Sequence, residues 1–193
     1  MPAIVTASQL RSILGVSVSL YSDAQLDSFI DSAEQTILPL LTQYQSSVTF
    51  ANVSDSVIYF TTIRPNYFVP GQSVVVTGAG TYNGTYTVTD DRIEPYTFTA
   101  ATAAADRTYP LPFIPSATAT LSGSSAAALY ANTPPIENAI LVVSVEIFQS
   151  ITAPGNQIMS DTFQPQPFIL GRSLTNRVIG LLGPFLDVET MAQ

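Results

Sequence analysis

The chain has 193 residues, a formal net charge of −8, and no lysine, histidine or cysteine. Charged residues make up 10% and hydrophobic residues 46%, whereas charged residues are roughly a quarter of a typical soluble domain. This composition excludes a disulfide framework, imidazole, amine or thiolate catalysis and a Cys-ligated zinc, and its six scattered arginines lack the cluster that gripping nucleic acid requires.

Taken from the start, Thr6-Ala7-Ser8-Gln9 reads as a capping box, with a short helix to Leu14 closed by Gly15. Ser22-Asp23-Ala24-Gln25 reads as a second box. Behind it Leu26, Phe29, Ile30, Ala33 and Ile37 recur at helical spacing, and Pro39 ends the helix. Asp23, Asp27, Asp31 and Glu34 form an acidic stripe, either an exposed helix face or, less simply, a metal site.

From Ser46 the period changes to two. "SVTFANV", "SVIYFTTI", "QSVVVTG", "NGTYTVT" and "PYTFTA" are short, β-branched and aromatic, and separated by turn residues. Residues 101–124 are rich in Ala, Thr, Ser and Pro and read as extended, with one returning strand at 117–121. Helix resumes at Thr133-Pro134-Pro135. Ile136, Ala139, Ile140, Val143 and Ile147 form one apolar face, and Leu141, Val142, Val145 and Phe148 cover most of the rest, so this helix is expected to be central and buried. A Gln/Pro-rich loop runs through Phe168, and Ser173 is a candidate cap for a last helix carrying Leu174, Val178, Leu181 and Leu182, stopped at Gly183-Pro184.

No run of about 20 residues is predominantly apolar: the best candidate, residues 136–151, carries Glu137, Asn138, Glu146 and Gln149. No basic stretch precedes an apolar one at the N-terminus. Neither a membrane span nor a signal peptide is expected. A folded chain with so few charges has a mostly neutral surface, which suits burial against other subunits better than a free monomer.

"VVVTGAGTYNG" resembles the glycine loop of a dehydrogenase, with Thr77, Gly78 and Gly84 in place. That loop must lead from a strand into a helix. Here Tyr82 takes a glycine position and a second strand follows, so a hairpin is expected, with Asn83-Gly84 supplying a positive-φ turn. No catalytic residues, cofactor or metal are assigned, and the chain is not expected to be an enzyme. Arg172 and Arg177, near the last helix, are either surface ion pairs or contacts between subunits. Phe163, Phe168 and Phe185 are anchors of either a core or an interface.

Two segments, "VTASQLRSILGV…YSDAQLDSFIDSAEQTILPLL" and "AILVVSVEIFQSITAPGNQ…PFILGRSLTNRVIGLLGPFLD", resemble the phage head-to-tail connector family, also called head-completion or adaptor proteins. "RPNYFVPGQSVVVTGAGTYNGTYTVTDDRIEPYTF" looks like a small β module found as an insert in phage structural proteins. The implied fold is α+β: a discontinuous helical-bundle connector domain, 1–45 and 125–193, with an inserted small antiparallel β-barrel or sandwich domain, 46–124. The implied function is that of a structural virion protein, a ring of usually twelve copies below the portal at the neck. Such a ring extends the DNA channel, links capsid to tail, and is made in the host cytoplasm.

The implied partners are copies of the chain itself, the portal protein and a stopper or tail-side neck protein. DNA would pass without specific binding, and no membrane is involved. Candidate interface residues are Phe163, Phe168, Leu170, Arg172, Arg177, Phe185 and Leu186, with residues 185–193 toward the portal and loop 153–170 toward a neighbour or the next tail-side ring. The alternatives are another phage part (stopper, tail terminator or minor capsid protein) or a carbohydrate-binding module with Tyr59, Tyr67, Tyr82 and Tyr86 along a groove.

Overall fold

Capping chemistry sets where the first helices begin. The computed structural model describes residues 3–152 and 170–187. In it Thr6 Oγ1 accepts from Gln9 N–H while Gln9 Oε1 accepts from Thr6 N–H, and α1 (Ala7–Leu14) follows. Gly15, at φ 65°, turns the chain out of it and donates to Arg11 O. Ser22 and Gln25 repeat the reciprocal pair ahead of α2 (Asp23–Ile37). Each such cap is worth about 1 kcal/mol. Pro39 then falls in a 3-10 turn, Leu38–Leu40, that ends the helix.

The strands come next: β1 (Gln45–Ser54), β2 (Val57–Thr62), β3 (Ser73–Thr77), β4 (Gly84–Glu94), β5 (Thr97–Ala101) and β6 (Leu111–Leu121). Three helices end the chain: α3 (Gly123–Tyr130), α4 (Pro134–Thr152) and α5 (Leu170–Leu182). The chain divides into two compact units, one drawn from Met1–Leu38 with Tyr130–Gln193 and the other from Pro39–Leu129. The junctions therefore lie at 38/39 and 129/130, and α3 belongs with the strands.

In the helical unit α2 packs on α4, α4 on α5, and α1 on both α2 and α4. Leu26, Ile30, Ala33 and Ile37 of α2 are buried, as are Ile136, Ala139 and Ile140 of α4. The Phe148 ring takes Tyr21 edge-on at 4.9 Å and Phe29 at 5.9 Å. Glu34 does not continue an exposed stripe. It is buried, and its carboxylate accepts from Ala3, Ile4 and Val5 N–H at 2.8, 2.8 and 3.2 Å. A carboxylate that takes three backbone donors stays satisfied out of water, and this one fastens the segment before α1 onto α2.

The six strands form one closed antiparallel barrel in the order β1-β2-β5-β4-β3-β6. Alternate residues point inward. Large side chains meet small ones there: Phe60 and Phe98, partners across β2 and β5, stack at 5.0 Å, while Ala51, Ala100, Ala117 and Ala119 are buried around the wall. Mixing sizes in this way fills a small barrel.

The expected fold class, α+β with a helical-bundle connector domain carrying a small barrel or sandwich, needs correction. The β region is no sandwich and no minor appendage. Strands of 10 and 11 residues, β1 and β6, pair with each other and close it completely. Residues 101–124 hide most of the closing strand, since β6 begins at Leu111 rather than 117. The chain is better described as a helical unit and a closed six-stranded barrel.

Three local expectations also change. The left-handed residues between β3 and β4 are Gly78 and Gly80 (φ 79° and 60°), not Gly84. Asn83 acts through its side chain, Oδ1 accepting from Ala79 N–H at 2.7 Å. Ser173 lies inside α5 rather than at its cap. Finally, α4 is not buried all round, for Leu141, Val142 and Val145 remain partly exposed.

The β1–β2 hairpin turns on Asp55 and Ser56, both left-handed at φ 54° and 63°. A side chain there costs roughly 1–2 kcal/mol, partly offset by the floppier unfolded chain that glycine brings. Ser56→Gly should therefore raise the melting temperature by roughly 2–4 °C, and a calorimetric scan showing a lower value would refute the turn assignment. At Gly78 a Cβ would strain the backbone and sit 3.3 Å from Ala117 Cα, whereas at Gly80 nothing lies within 4 Å. Gly78→Ala should cost more than about 1 kcal/mol and more than Gly80→Ala, as read by urea unfolding.

Candidate functional site

Two regions of the surface combine residue types that a free, inert domain does not need. The first is on the helical unit. Ile13 lies in the last turn of α1, and Val18 and Leu20 lie in the connection to α2; they are 57%, 64% and 72% exposed. On α4, Leu141, Val142 and Val145 are half-buried, so among the described residues both places leave apolar area partly uncovered. An ion pair joins α1 and α2, Arg11 to Asp23 at 2.6 Å.

The residues singled out from sequence fall unevenly on this unit. Phe163 and Phe168 lie outside the described residues. Leu170 opens α5 and Arg172 follows in its first turn. Arg177 is exposed on α5, while Phe185, in the 3-10 turn Gly183–Phe185, and Leu186 are half-buried. The exposed trio Ile13, Val18 and Leu20 escaped the sequence reading. Their signal was present in "ILGVSVSLYS", which places apolar residues between serines without the length of a strand or the period of a helix.

The second region is a cleft of about 360 Å³ on the barrel. It exists because the β4–β5 ladder is interrupted: Thr89 pairs with Thr99 and Glu94 with Thr97, with an irregularity between. The 63–72 segment arches beside this gap and is pinned at both ends. Asn66 donates to Pro95 O from its backbone at 2.6 Å and from Nδ2 at 2.9 Å. At the other end Gly71 N–H donates to Val88 O, and Val88 N–H donates to Gln72 O.

Beneath the arch, Val88 and Phe98 are buried and make an apolar floor. Phe68 stands edge-on to Phe98 at 5.2 Å. Tyr67, half exposed, flanks the mouth together with Arg92, whose Nε donates to Glu94 Oε1 at 2.7 Å.

The four-tyrosine groove is not formed. Tyr82 is buried, and Tyr86 points its hydroxyl at Tyr82 O, 2.9 Å away, with its ring edge-on to Phe60. Of the four, only Tyr67 lines the cleft. Among the described residues no three acidic side chains gather where a metal could sit. None of the described helices is long and apolar enough to cross a membrane. Compared with family models and with curated proteins, the chain matches none.

Burial, and then the neighbouring Tyr82, hold the Tyr86 phenol above its usual value near 10. The unfolded chain thus releases this proton before the folded one does, so the group's stabilising contribution is present below pH 10 and is lost as pH rises toward the folded value. Tyr86→Phe should flatten the loss of stability above pH 10. A variant with an alkaline limb as steep as the parent's, in denaturant titrations at stepped pH, would contradict this.

Proposed function

We propose that this chain is a structural virion protein, a head-to-tail adaptor that forms a ring below the portal, extends the DNA channel and links capsid to tail. The observation that carries the reading is the uncovered apolar surface of the helical unit. Ile13, Val18 and Leu20 are exposed, and one flank of α4 is half-covered, in a chain with only 10% charged residues. Permanent interfaces are more apolar than transient ones, and a head-to-tail contact closes into a ring when its rotation permits.

The resemblance of the two helical segments to connector proteins supports a place at the neck of the particle. It also suggests the partners: the portal on one side and a stopper or tail-side neck protein on the other. Electrostatics agree with a conduit. An acidic surface without lysine does not hold a polyanion, so DNA would slide past it. Arg177, Phe185 and Leu186 stand on or just beyond α5 as candidate contacts, in line with a docking role for the end of the chain.

The purified protein, alone and mixed with a portal protein of the same phage, should give rings in negative stain and a multiple of the 20.6 kDa chain mass by light scattering. Leu20→Asp with Val142→Glu should leave the circular dichroism unchanged and release monomers. Persistent monomers in the presence of portal would overturn the reading. Rings indifferent to portal would overturn the adaptor assignment and favour a stopper or tail terminator.

A further inference from the structure

We infer that the cleft under the 63–72 arch of the barrel is a binding site for a neutral saccharide. The inference is independent of the ring, because every residue that builds the cleft belongs to the barrel unit.

Three observations define the ligand. The first is size and rigidity. About 360 Å³ falls at the small end of ligand pockets, roughly 300–1,000 Å³. The arch is held at Pro95 and at Val88 by backbone hydrogen bonds, so the cavity is preformed and little ordering cost falls on binding.

The second is the apolar surface. The exposed Tyr67 ring, backed by the buried Val88 and Phe98, suits the C–H face of a sugar ring, which needs apolar contact on one side and polar partners at its rim.

The third is charge. The only charged groups in the cleft are Arg92 and Glu94, paired and cancelling. The pair engages a single guanidinium N–H and one carboxylate oxygen. The two side chains line the cleft and are 58% and 43% exposed, so further guanidinium N–H groups and the second carboxylate oxygen are held near each other by the pair. A hydroxyl both donates and accepts, so a vicinal diol matches a donor and an acceptor held next to each other. An anionic ligand would instead have to displace Glu94 from Arg92.

An extended peptide is the rival occupant, and the barrel offers it less. Peptides dock on sheets chiefly by adding a strand to a free edge. Each of the six strands already has a neighbour on both sides, and the unpaired stretch of the β4–β5 ladder between Thr89 and Glu94 is too short to seat an added strand of the usual length, roughly five or six residues.

The test is an amide NMR titration of the full chain with maltotriose, cellotriose, chitotriose, galactose and mannose, and separately with a proline-rich peptide. At least one saccharide should move the resonances of residues 65–70 and 88–98, with a dissociation constant in the millimolar range or tighter. Tyr67→Ala and Arg92→Ala, both at exposed side chains, should each weaken it by about tenfold or more. Tyr109→Ala, 77% exposed and outside the cleft lining, should leave it unchanged.

The inference is overturned if no saccharide of the panel shifts these resonances. Shifts that survive both cleft variants, or capture of the cleft by the peptide in place of a sugar, would overturn it equally. Ring formation has no bearing on any of these readouts, so the two proposals fail separately.

Discussion

Between Gln45 and Thr120 the first and last strands of the barrel lie side by side, and Leu121 N–H reaches Tyr44 O at 2.9 Å. This pairing of β1 with β6 has two consequences. It closes the sheet, so no strand is left with a wholly unpaired edge as a template for aggregation. It also makes the chain enter and leave the barrel at one place. An insertion is tolerated when its ends lie close together, and here the hydrogen bonds of the inserted unit itself hold them there. A helical unit assembled from Met1–Leu38 and Tyr130–Gln193 depends on that.

The helical unit solves a related problem with one side chain. Glu34 lies seven residues after Asp27 and four after Ile30, at the border of the acidic stripe and the buried face of α2, and the segment 3–5 laid over it buries it. Burying a carboxylate costs several kcal/mol unless its lone pairs are met. The three N–H groups of Ala3, Ile4 and Val5 meet them. Those donors would otherwise need partners of their own, since Ile4 and Val5 are themselves buried. The charge and the strap therefore satisfy each other, and the strap delivers the chain directly to the Thr6 cap.

Much of this was legible in the sequence because it is local. The capping boxes at Thr6 and Ser22, the left-handed Gly15 and the break at Pro39 each depend on a few consecutive residues. The five Val/Thr/aromatic runs announced β1 to β5 by their alternation. The closing strand did not announce itself. "LPFIPSATATL" carries Pro112 and Pro115, which argue against a strand. The structure accommodates them because the β1–β6 register jumps between Val48 and Phe50, and β3 pairs only with residues 118–121. The prolines stand where the ladder is interrupted or one-sided. Closure itself is non-local and leaves no periodic trace. Nor did the cleft, which arises from a gap in one ladder and an arch pinned from another part of the chain.

These two interruptions also explain where the barrel is distinctive. A closed barrel with perfect ladders presents a uniform wall, and recognition concentrates at bulges and on the loops a rigid scaffold holds in place. Around the β1–β6 irregularity the chain exposes Phe50, Tyr109 and Ile114. At the β4–β5 gap it exposes Tyr67 and Tyr96 beside a neutral ion pair. Elsewhere the wall is dominated by threonine, serine and valine. The irregular positions cannot be explained by closure, which needs only the regular ones. A barrel inserted for bulk alone has no use for an arch fastened by both the backbone and the side chain of Asn66. That fastening holds Tyr67 and Phe68 against a gap that regular pairing would have filled.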